Sequence, residues 1–359
     1  MSGRALRDLK IAGRLVSKRG LPVSLIFFVT SKCNLLCRHC FYWQELNQKK
    51  DELTLDEIEK ITRSIPNLLT VSLTGGEPYL RPDLPEIAAA FERNCHVRNI
   101  QIPSNGMSVE LTVKRAAELL AKVRTARVAT GVSLDGPPEI HNEIRQNPHS
   151  YERAIQTFQG LQRLKSRHLN LSVGIALTVS SANQDCIVDF YREISERLAP
   201  DAITVTLVRG NPIDPKLKTV DLAKYEEITA EIIRFRRRHP PTGLWTDSLV
   251  IAKEEETYRL IRQAAHATSR ISPCYAGELI GILSETGQVY LCETLDRPMG
   301  NIRDFDCDFS ALWSSDAAAA ARRYQHELGC QCTYECAMSV NSLFNPRRAL
   351  RVLKNSILE

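Results

Sequence analysis

The chain has 359 residues, of which 43% are hydrophobic and 25% are charged, as in an ordinary globular protein. Its net charge of +5 comes from the two ends, so the body of the chain is slightly acidic, which argues against a nucleic-acid-binding surface spread over that body. No segment approaches the roughly 20 apolar residues that a bilayer-spanning helix needs. Eleven cysteines, with no apolar signal segment after the basic start, predict an intracellular protein with metal-binding and buried thiols.

The two basic ends are each predicted to form an amphipathic helix, at residues 1–22 and 346–359. In the second helix, Leu350, Leu353 and Ile357 recur at helical spacing among Arg and Lys residues. Helices that cap the fold, with solvated charges, are the simpler interpretation. The alternative is peripheral contact with an anionic membrane, for which two anchors succeed where one is marginal. We expect a cytoplasmic protein, with contact to the inner membrane surface as the open alternative.

Between these ends, six apolar segments alternate with helical ones. The first predicted strand covers residues 25–29 and the last covers residues 203–208. The first helix after the opening strand is predicted to begin with a capping box formed by Thr54 and Glu57. Such alternation predicts an α/β fold, in which a parallel sheet is flanked by helices. In folds of this kind the functional groups gather at the carboxyl ends of the strands.

Three cysteines follow the first predicted strand at C-x3-C-x2-C spacing: Cys33, Cys37 and Cys40. Thiolates so close together can bind one soft metal centre, either an iron–sulfur cluster or zinc. Structural zinc sites usually have four protein ligands, so a zinc loop would need His39 or a remote residue. A four-iron cluster held by three cysteines keeps one iron open for another ligand. The cluster is the favoured prediction, and zinc is the alternative.

Polar and glycine-rich motifs follow the next strands. After the second strand, adjacent glycines would let the backbone approach a ligand closely. After the third strand, Ser and Asn side chains could bind sugar hydroxyls, although the same residues also form ordinary turns. After the fourth strand, an arginine fork could bind a carboxylate, or form a surface ion pair. The motif residues are Gly75, Gly76, Glu77, Pro78, Ser104, Asn105, Ser133 and Arg145.

This series of motifs resembles the radical S-adenosylmethionine (SAM) superfamily, over roughly residues 24–210. The resemblance implies a partial (β/α)6 TIM-type barrel and a [4Fe-4S] cluster on Cys33, Cys37 and Cys40, whose open iron binds SAM. It also implies that an external one-electron reductant of the flavodoxin or ferredoxin type drives cleavage of SAM. The products are methionine and a 5′-deoxyadenosyl radical, which takes a hydrogen atom from the substrate.

The resemblance assigns the other motif residues to the SAM pocket. It implies that the loop from Gly75 to Pro78 contacts the amino group of SAM, that Ser104 and Asn105 contact the ribose, and that Ser133 and Arg145 hold the carboxylate. His39 and Leu207 would lie near the adenine. Arg209, at the end of the sixth strand, is the candidate for contact with the substrate, and a loop ion pair is the equal alternative.

A second group of five cysteines lies near the carboxyl end: Cys274, Cys292, Cys330, Cys332 and Cys336. The first two flank a predicted hairpin with its turn at residues 285–287. The group resembles the SPASM and twitch extensions of radical SAM enzymes, which carry auxiliary four-iron clusters. Five cysteines suffice for one such cluster and not for two. The preferred ligands are Cys274, Cys292, Cys332 and Cys336, with Cys330 as the alternate, and structural zinc is the competing interpretation.

The predicted organisation has five parts: a basic amino-terminal helix at 1–22, a radical SAM barrel at 23–240, a linker helix at 241–269, a twitch-like domain at 270–345 and a basic helix at 346–359. The predicted function is oxidation, epimerisation or rearrangement of a small molecule, such as a sugar, an aminocyclitol or a lipid-linked metabolite. Some 23 residues precede the first strand, and we expect no leader-binding domain there, which favours a small molecule over a peptide. The alternatives are a peptide maturase and a zinc-stabilised binding protein without enzymatic activity.

Overall fold

The computed structural model describes residues 11–357, apart from residues 12, 16, 18, 241–244 and 331. Its centre is a nine-stranded sheet with the order β6-β5-β4-β3-β2-β1-β7-β8-β9. Strands β1 to β6 are parallel, and each lies beside its neighbour in the sequence. Their bounds are Ser24–Thr30, Thr70–Gly75, Asn99–Ser104, Arg127–Ser133, Leu171–Val179 and Ile203–Leu207. The predicted α/β fold with a partial (β/α)6 barrel is therefore confirmed.

Helices separate these strands and cover the outer face of the sheet. The capping box of the first helix is present, because Thr54 accepts from the backbone of Glu57 and Glu57 accepts from the backbone of Thr54. Helices α1 to α7 are Leu55–Arg63, Leu84–Cys95, Val109–Lys122, Pro138–Arg145, Ser150–Leu164, Ile187–Leu198 and Leu222–Arg238. Helices α8 to α12 are Trp245–His266, Phe309–Trp313, Asp316–Leu328, Glu335–Phe344 and Pro346–Ile357.

Strand β1 divides its side chains between two cores, as the two-residue period of a strand requires. Leu25, Phe27 and Val29 join the large core beneath the helices. Ile26 and Phe28 point to the opposite face, where they pack with residues of β7 and with the start of α11. The inner face of the barrel is thus covered in part by β7 and the start of α11, which lie far from β1 in the sequence.

The carboxyl-terminal region continues the barrel sheet. Strand β7 (Ile280–Leu283) pairs in parallel with β1, and β8 (Gln288–Tyr290) and β9 (Pro298–Asn301) follow in antiparallel order. The predicted hairpin between Cys274 and Cys292 is confirmed. Because β7 adds to the barrel at β1, the barrel and the second cysteine group share one sheet.

The two terminal helices are described to different extents. Most of the predicted helix at 1–22 lies outside the described residues. The predicted carboxyl-terminal helix is confirmed as α12. On α12, Val352 is buried, whereas Leu350 and Leu353 are 67% and 50% exposed. Among the described helices, none is long and apolar enough to cross a membrane.

Candidate active site

The loops that follow β1 to β6 surround one cleft, which we call the cofactor cleft, with about 1230 Å³ of space that is partly open to solvent. All three thiols of the first cysteine loop line this cleft. So do ten of the predicted site residues: His39, Gly75, Gly76, Glu77, Ser104, Asn105, Ser133, Arg145, Leu207 and Arg209. Pro78 is buried and begins a short 3-10 turn behind the loop.

The thiols of Cys33, Cys37 and Cys40 are held in a largely apolar setting. Burial raises the pKa of Cys33 to about 12 and that of Cys40 to about 11. Within the described part of the chain, no three His, Cys, Asp or Glu side chains converge as the ligands of a single metal ion must. Three soft thiols that line one cleft suit the iron of an iron–sulfur cluster.

The two glycines of the second loop lie against the chain that leaves β1. A Cβ on Gly75 would lie 2.3 Å from the carbonyl oxygen of Thr30, and one on Gly76 would lie 2.2 Å from that of Lys32. Gly75 also has a φ of +123°, a conformation that favours glycine. The backbone of Gly76 donates to Thr30 and that of Glu77 donates to Lys32. These glycines therefore allow close packing of the second loop on the base of the thiol loop.

Glu77 joins the second and third loops from a fully buried position. Its carboxylate accepts from the backbone N–H of Asn105 at 2.7 Å and from the hydroxyl of Ser104 at 3.1 Å. Burial raises the pKa of Glu77 to about 7. The amide nitrogen of Asn105 donates to Asn34 at 2.9 Å and lies 3.7 Å from the sulfur of Cys33. The second, third and thiol loops thus form one hydrogen-bonded unit.

Arg145 is buried, and it binds a carboxylate of its own chain. Its Nε and NH2 atoms both lie 2.7 Å from Oδ2 of Asp135, which has no exposed side-chain area. Its NH1 lies 3.7 Å from the sulfur of Cys37. The surface ion pair considered from the sequence is therefore wrong. Although Asp135 belongs to the recognised loop, the sequence did not assign it a role, and it orients Arg145 toward the thiols.

His39 lines the cofactor cleft, and one of its ring nitrogens makes no hydrogen bond with the described residues. Its Nδ1 is buried and has no hydrogen-bond partner among the described residues. Burial lowers the pKa of His39 to about 4. The ring is therefore neutral at physiological pH and has a nitrogen free for a ligand, as suits a position near a bound cofactor.

A second cleft, which we call the adjoining cleft, has about 1130 Å³ of space and shares walls with the cofactor cleft. Phe28, Phe41, Tyr42 and Glu293 line both. The charged residues that line the adjoining cleft are Glu45, Lys50, Glu285, Glu293 and Asp296. Four carboxylates face one lysine, and Arg209 pairs with Glu293 from the cofactor cleft, so the walls of this cleft remain acidic.

The floor of the adjoining cleft holds an ordered polar network. Buried Glu285 accepts from the hydroxyl of Tyr42 at 2.6 Å and from the ammonium of Lys50 at 2.5 Å. Sequence analysis assigned none of these three residues to a binding or catalytic site. They come from the thiol loop, the segment after it and the β7–β8 turn, and no local spacing relates them.

The structure also groups four thiols of the second set. Cys332 interacts electrostatically with Cys274, Cys292 and Cys330. Cys336 instead lies beside Glu293 and Arg209. The sequence preferred Cys336 over Cys330 because of the terminal C-x3-C spacing, and the grouping in the structure favours Cys330. Cys336 lies on α11, whereas Cys330 and Cys332 precede that helix.

Arg209 lines the cofactor cleft and also forms an ion pair, which was the alternative considered from the sequence. Its NH2 binds Glu293 at 2.9 Å. Its NH1 lies 3.6 Å from Glu335. Of the remaining cysteines, Cys95 and Cys307 are buried, as expected, and Cys186 is half-buried.

Comparisons with known proteins agree with this geometry. Residues 27–194 match the family model of the radical SAM superfamily. The chain is 26% identical to an AdoMet-dependent heme synthase of Oleidesulfovibrio alaskensis, over 86% of this chain and 76% of that protein. It superposes on Streptococcus suis SuiB bound to S-adenosylmethionine with a TM-score of 0.63 and 17% identity, over 90% of this chain and 74% of SuiB. For anSMEcpe with bound AdoMet the TM-score is 0.60 and the identity 14%, over 94% and 98% of the chains.

Residues 27–194 therefore match the radical SAM superfamily, and the chain is an enzyme of the radical SAM type. It uses S-adenosylmethionine and a [4Fe-4S] cluster.

Proposed function

We propose that Cys33, Cys37 and Cys40 hold the SAM-binding cluster in the cofactor cleft, and that a substrate in the adjoining cleft loses a hydrogen atom. One observation carries this proposal: the three thiols and the loops after β2, β3 and β4 line a single cleft, which shares four lining residues with a second cleft. When bound, SAM and its cluster supply the organic radical that abstracts the hydrogen atom. An external reductant of the flavodoxin or ferredoxin type would provide the electron.

The residues of the cofactor cleft fit these groups. Three soft thiols suit iron, and iron would bind them as thiolates, overcoming the raised pKa values. Arg145 lies beside Cys37 and offsets part of the negative charge. The neutral ring of His39, with its free Nδ1, would bind the adenine end of SAM. Glu77 would fix the distance between the second and third loops and would not need to contact SAM itself.

A second cluster is supported by the four grouped thiols. We propose that Cys274, Cys292, Cys330 and Cys332 hold one auxiliary four-iron cluster, of the kind found in twitch or SPASM domains. Cys274, Cys330 and Cys332 line one small cavity, and Cys292 lines the adjoining cleft. A cluster on these thiols would lie next to the substrate and could accept an electron from it.

The charges of the adjoining cleft favour one class of substrate. Four carboxylates around one lysine attract amines and repel polyanions. Tyr42 and Lys50, held by Glu285, add hydrogen-bond donors at the floor. We propose a small molecule with hydroxyl and amino groups, such as an aminocyclitol or an amino sugar, which would be oxidised, epimerised or rearranged. A lipid-linked substrate is the related option, because exposed Leu350 and Leu353 on basic α12 suit contact with a membrane.

Peptide maturation is the second candidate. It is favoured by the fold, since SuiB has also been seen with its precursor peptide SuiA and superposes on this chain with a TM-score of 0.61. The likeness to AdoMet-dependent heme synthases offers a haem-type molecule as a third class of substrate. A zinc-stabilised protein without activity does not agree with the finding that the chain is a radical SAM enzyme.

The test is an iron and sulfide count on protein purified without oxygen, in the wild type and in a Cys33/Cys37/Cys40→Ala variant. About eight irons per chain falling to about four would support two four-iron clusters. About four falling to none would contradict the auxiliary cluster. Release of 5′-deoxyadenosine with matched amino, neutral and carboxylated sugars would then rank the substrate classes, and preference for the carboxylated sugar would contradict the proposed class.

A further inference from the structure

Arg209 lies where segments from three cysteine-bearing regions meet. Its guanidinium stacks on Phe41, the residue after Cys40, at 5.0 Å from the ring centre. It binds Glu293, the residue after Cys292. It also stacks on Tyr334 at 4.8 Å and lies 3.6 Å from Glu335. These last two residues stand between Cys332 and Cys336.

The same contacts close the open side of the partial barrel. Strand β6 is the edge of the sheet, five strands away from β1. The backbone N–H of Leu207, at the end of β6, donates to Glu335 at the start of α11. Tyr334 and Ala337 pack on Ile26 and Phe28 of β1. The start of α11 therefore spans from the last barrel strand to the first, and Arg209 fixes it at the β6 end.

The charges at this junction are buried, so they act strongly on their surroundings. The side chain of Glu293 is only 5% exposed and that of Arg209 is 20% exposed. Removing Arg209 leaves the charge of Glu293 uncompensated in a poorly solvated place. Because Glu293 directly follows Cys292, this negative charge would disfavour electron addition to a cluster held by Cys292, and Arg209 offsets it, since Coulomb interactions are weakly screened inside a protein.

We propose that Arg209 is a positioning residue that holds the second thiol set against the cofactor cleft and tunes the cluster bound to it. The inference rests on the auxiliary cluster of the proposed function. It goes beyond that function because it names the residue that couples the two clefts. Arg209 acts through Glu293 and Glu335, and it need not contact the substrate.

The experiment uses anaerobically purified holoenzyme with Arg209→Met, Arg209→Lys and Glu293→Gln. Arg303→Met is the matched control, because Arg303 forms a similar ion pair with Glu57 away from the second thiol set. Iron and sulfide are counted, and each cluster's reduction potential and electron paramagnetic resonance spectrum are measured. The cluster whose spectrum changes on adding SAM is the first, and the other is the second.

Relative to the wild type, we expect Arg209→Met to lower the reduction potential of the second cluster and Glu293→Gln to raise it. Arg209→Lys, which keeps the positive charge, should have a potential close to that of the wild type. The spectrum of the first cluster should be unchanged in every variant. In Arg303→Met, both clusters should keep the wild-type potentials and spectra. If Arg209→Met does not fold, the upward shift in Glu293→Gln still tests the inference. An unchanged second cluster in Glu293→Gln and Arg209→Met, with eight irons present, would overturn the role of Arg209 alone. A wild-type count of about four irons would overturn the auxiliary cluster and this inference together.

Discussion

Arg145→Met should strongly destabilise the protein, because it leaves the buried carboxylate of Asp135 without its partner. Asp135 has no exposed side-chain area, and Arg145 has 8%. Two guanidinium nitrogens lie 2.7 Å from one carboxylate oxygen, while the other oxygen accepts from the backbone of Thr178 at 3.1 Å. Breaking a buried pair by removing one partner costs about 3–5 kcal/mol. We expect a loss of that size in the free energy of unfolding.

The assay is urea unfolding of the metal-free protein, followed by circular dichroism. In the double variant Arg145→Met/Asp135→Asn, most of the loss should return, because no charge is left buried. Arg192→Met is the matched control: Arg192 pairs with Glu231 and Asp189 at the surface and is 44% exposed. Its loss should cost far less than the loss of Arg145, because solvent screens a surface ion pair. A cost below about 1 kcal/mol for Arg145→Met, or no recovery in the double variant, would refute the reasoning.

Three further predictions follow from the same loops. Gly75→Ala should destabilise the protein by about 1–3 kcal/mol or more and weaken SAM binding in equilibrium dialysis, because its Cβ would meet Thr30 at 2.3 Å. In the control Gly131→Ala, the Cβ would lie 3.7 Å from its nearest neighbour, so stability and SAM binding should stay close to those of the wild type. Equal losses in the two variants would contradict the packing argument. Burial raises the pKa values of Glu77 and Glu335 to about 7, above their unfolded values, so the folded state retains protons that the unfolded state has lost. These two carboxyl groups make stability fall as pH rises from about 4.5 to about 7, whereas the lowered pKa values of His39 and His141 act in the opposite direction. The difference between the wild type and Glu77→Gln isolates Glu77: relative to the wild type, the variant should gain stability in urea unfolding as pH rises through this range, and a difference that does not change with pH would count against the reasoning. Cys330→Ala should lose about four irons per chain and Cys336→Ala almost none; the reverse result would restore the ligand set preferred from the sequence.

The sequence alone determined the features that depend on neighbouring residues. The C-x3-C-x2-C spacing brings three thiols onto one short loop, because so few residues cannot carry them far apart. The alternation of apolar segments predicted the six strands, and Thr54 with Glu57 predicted the start of α1. The order of loops after the strands placed the cofactor motifs at one edge of the sheet, since parallel strands end together.

Only the tertiary structure decided which polar and thiol side chains meet. Arg145 and Asp135 could each have paired elsewhere, and only the turn of the loop after β4 brings them together. The proposed choice of Cys330 over Cys336 depends on the neighbours that the fold gives each thiol, which spacing does not encode. The bridge by which α11 joins β1 to β6, with Arg209 at its end, links residues more than 120 positions apart. Contacts of that kind arise from the packing of complete elements, and local sequence patterns carry no information about them.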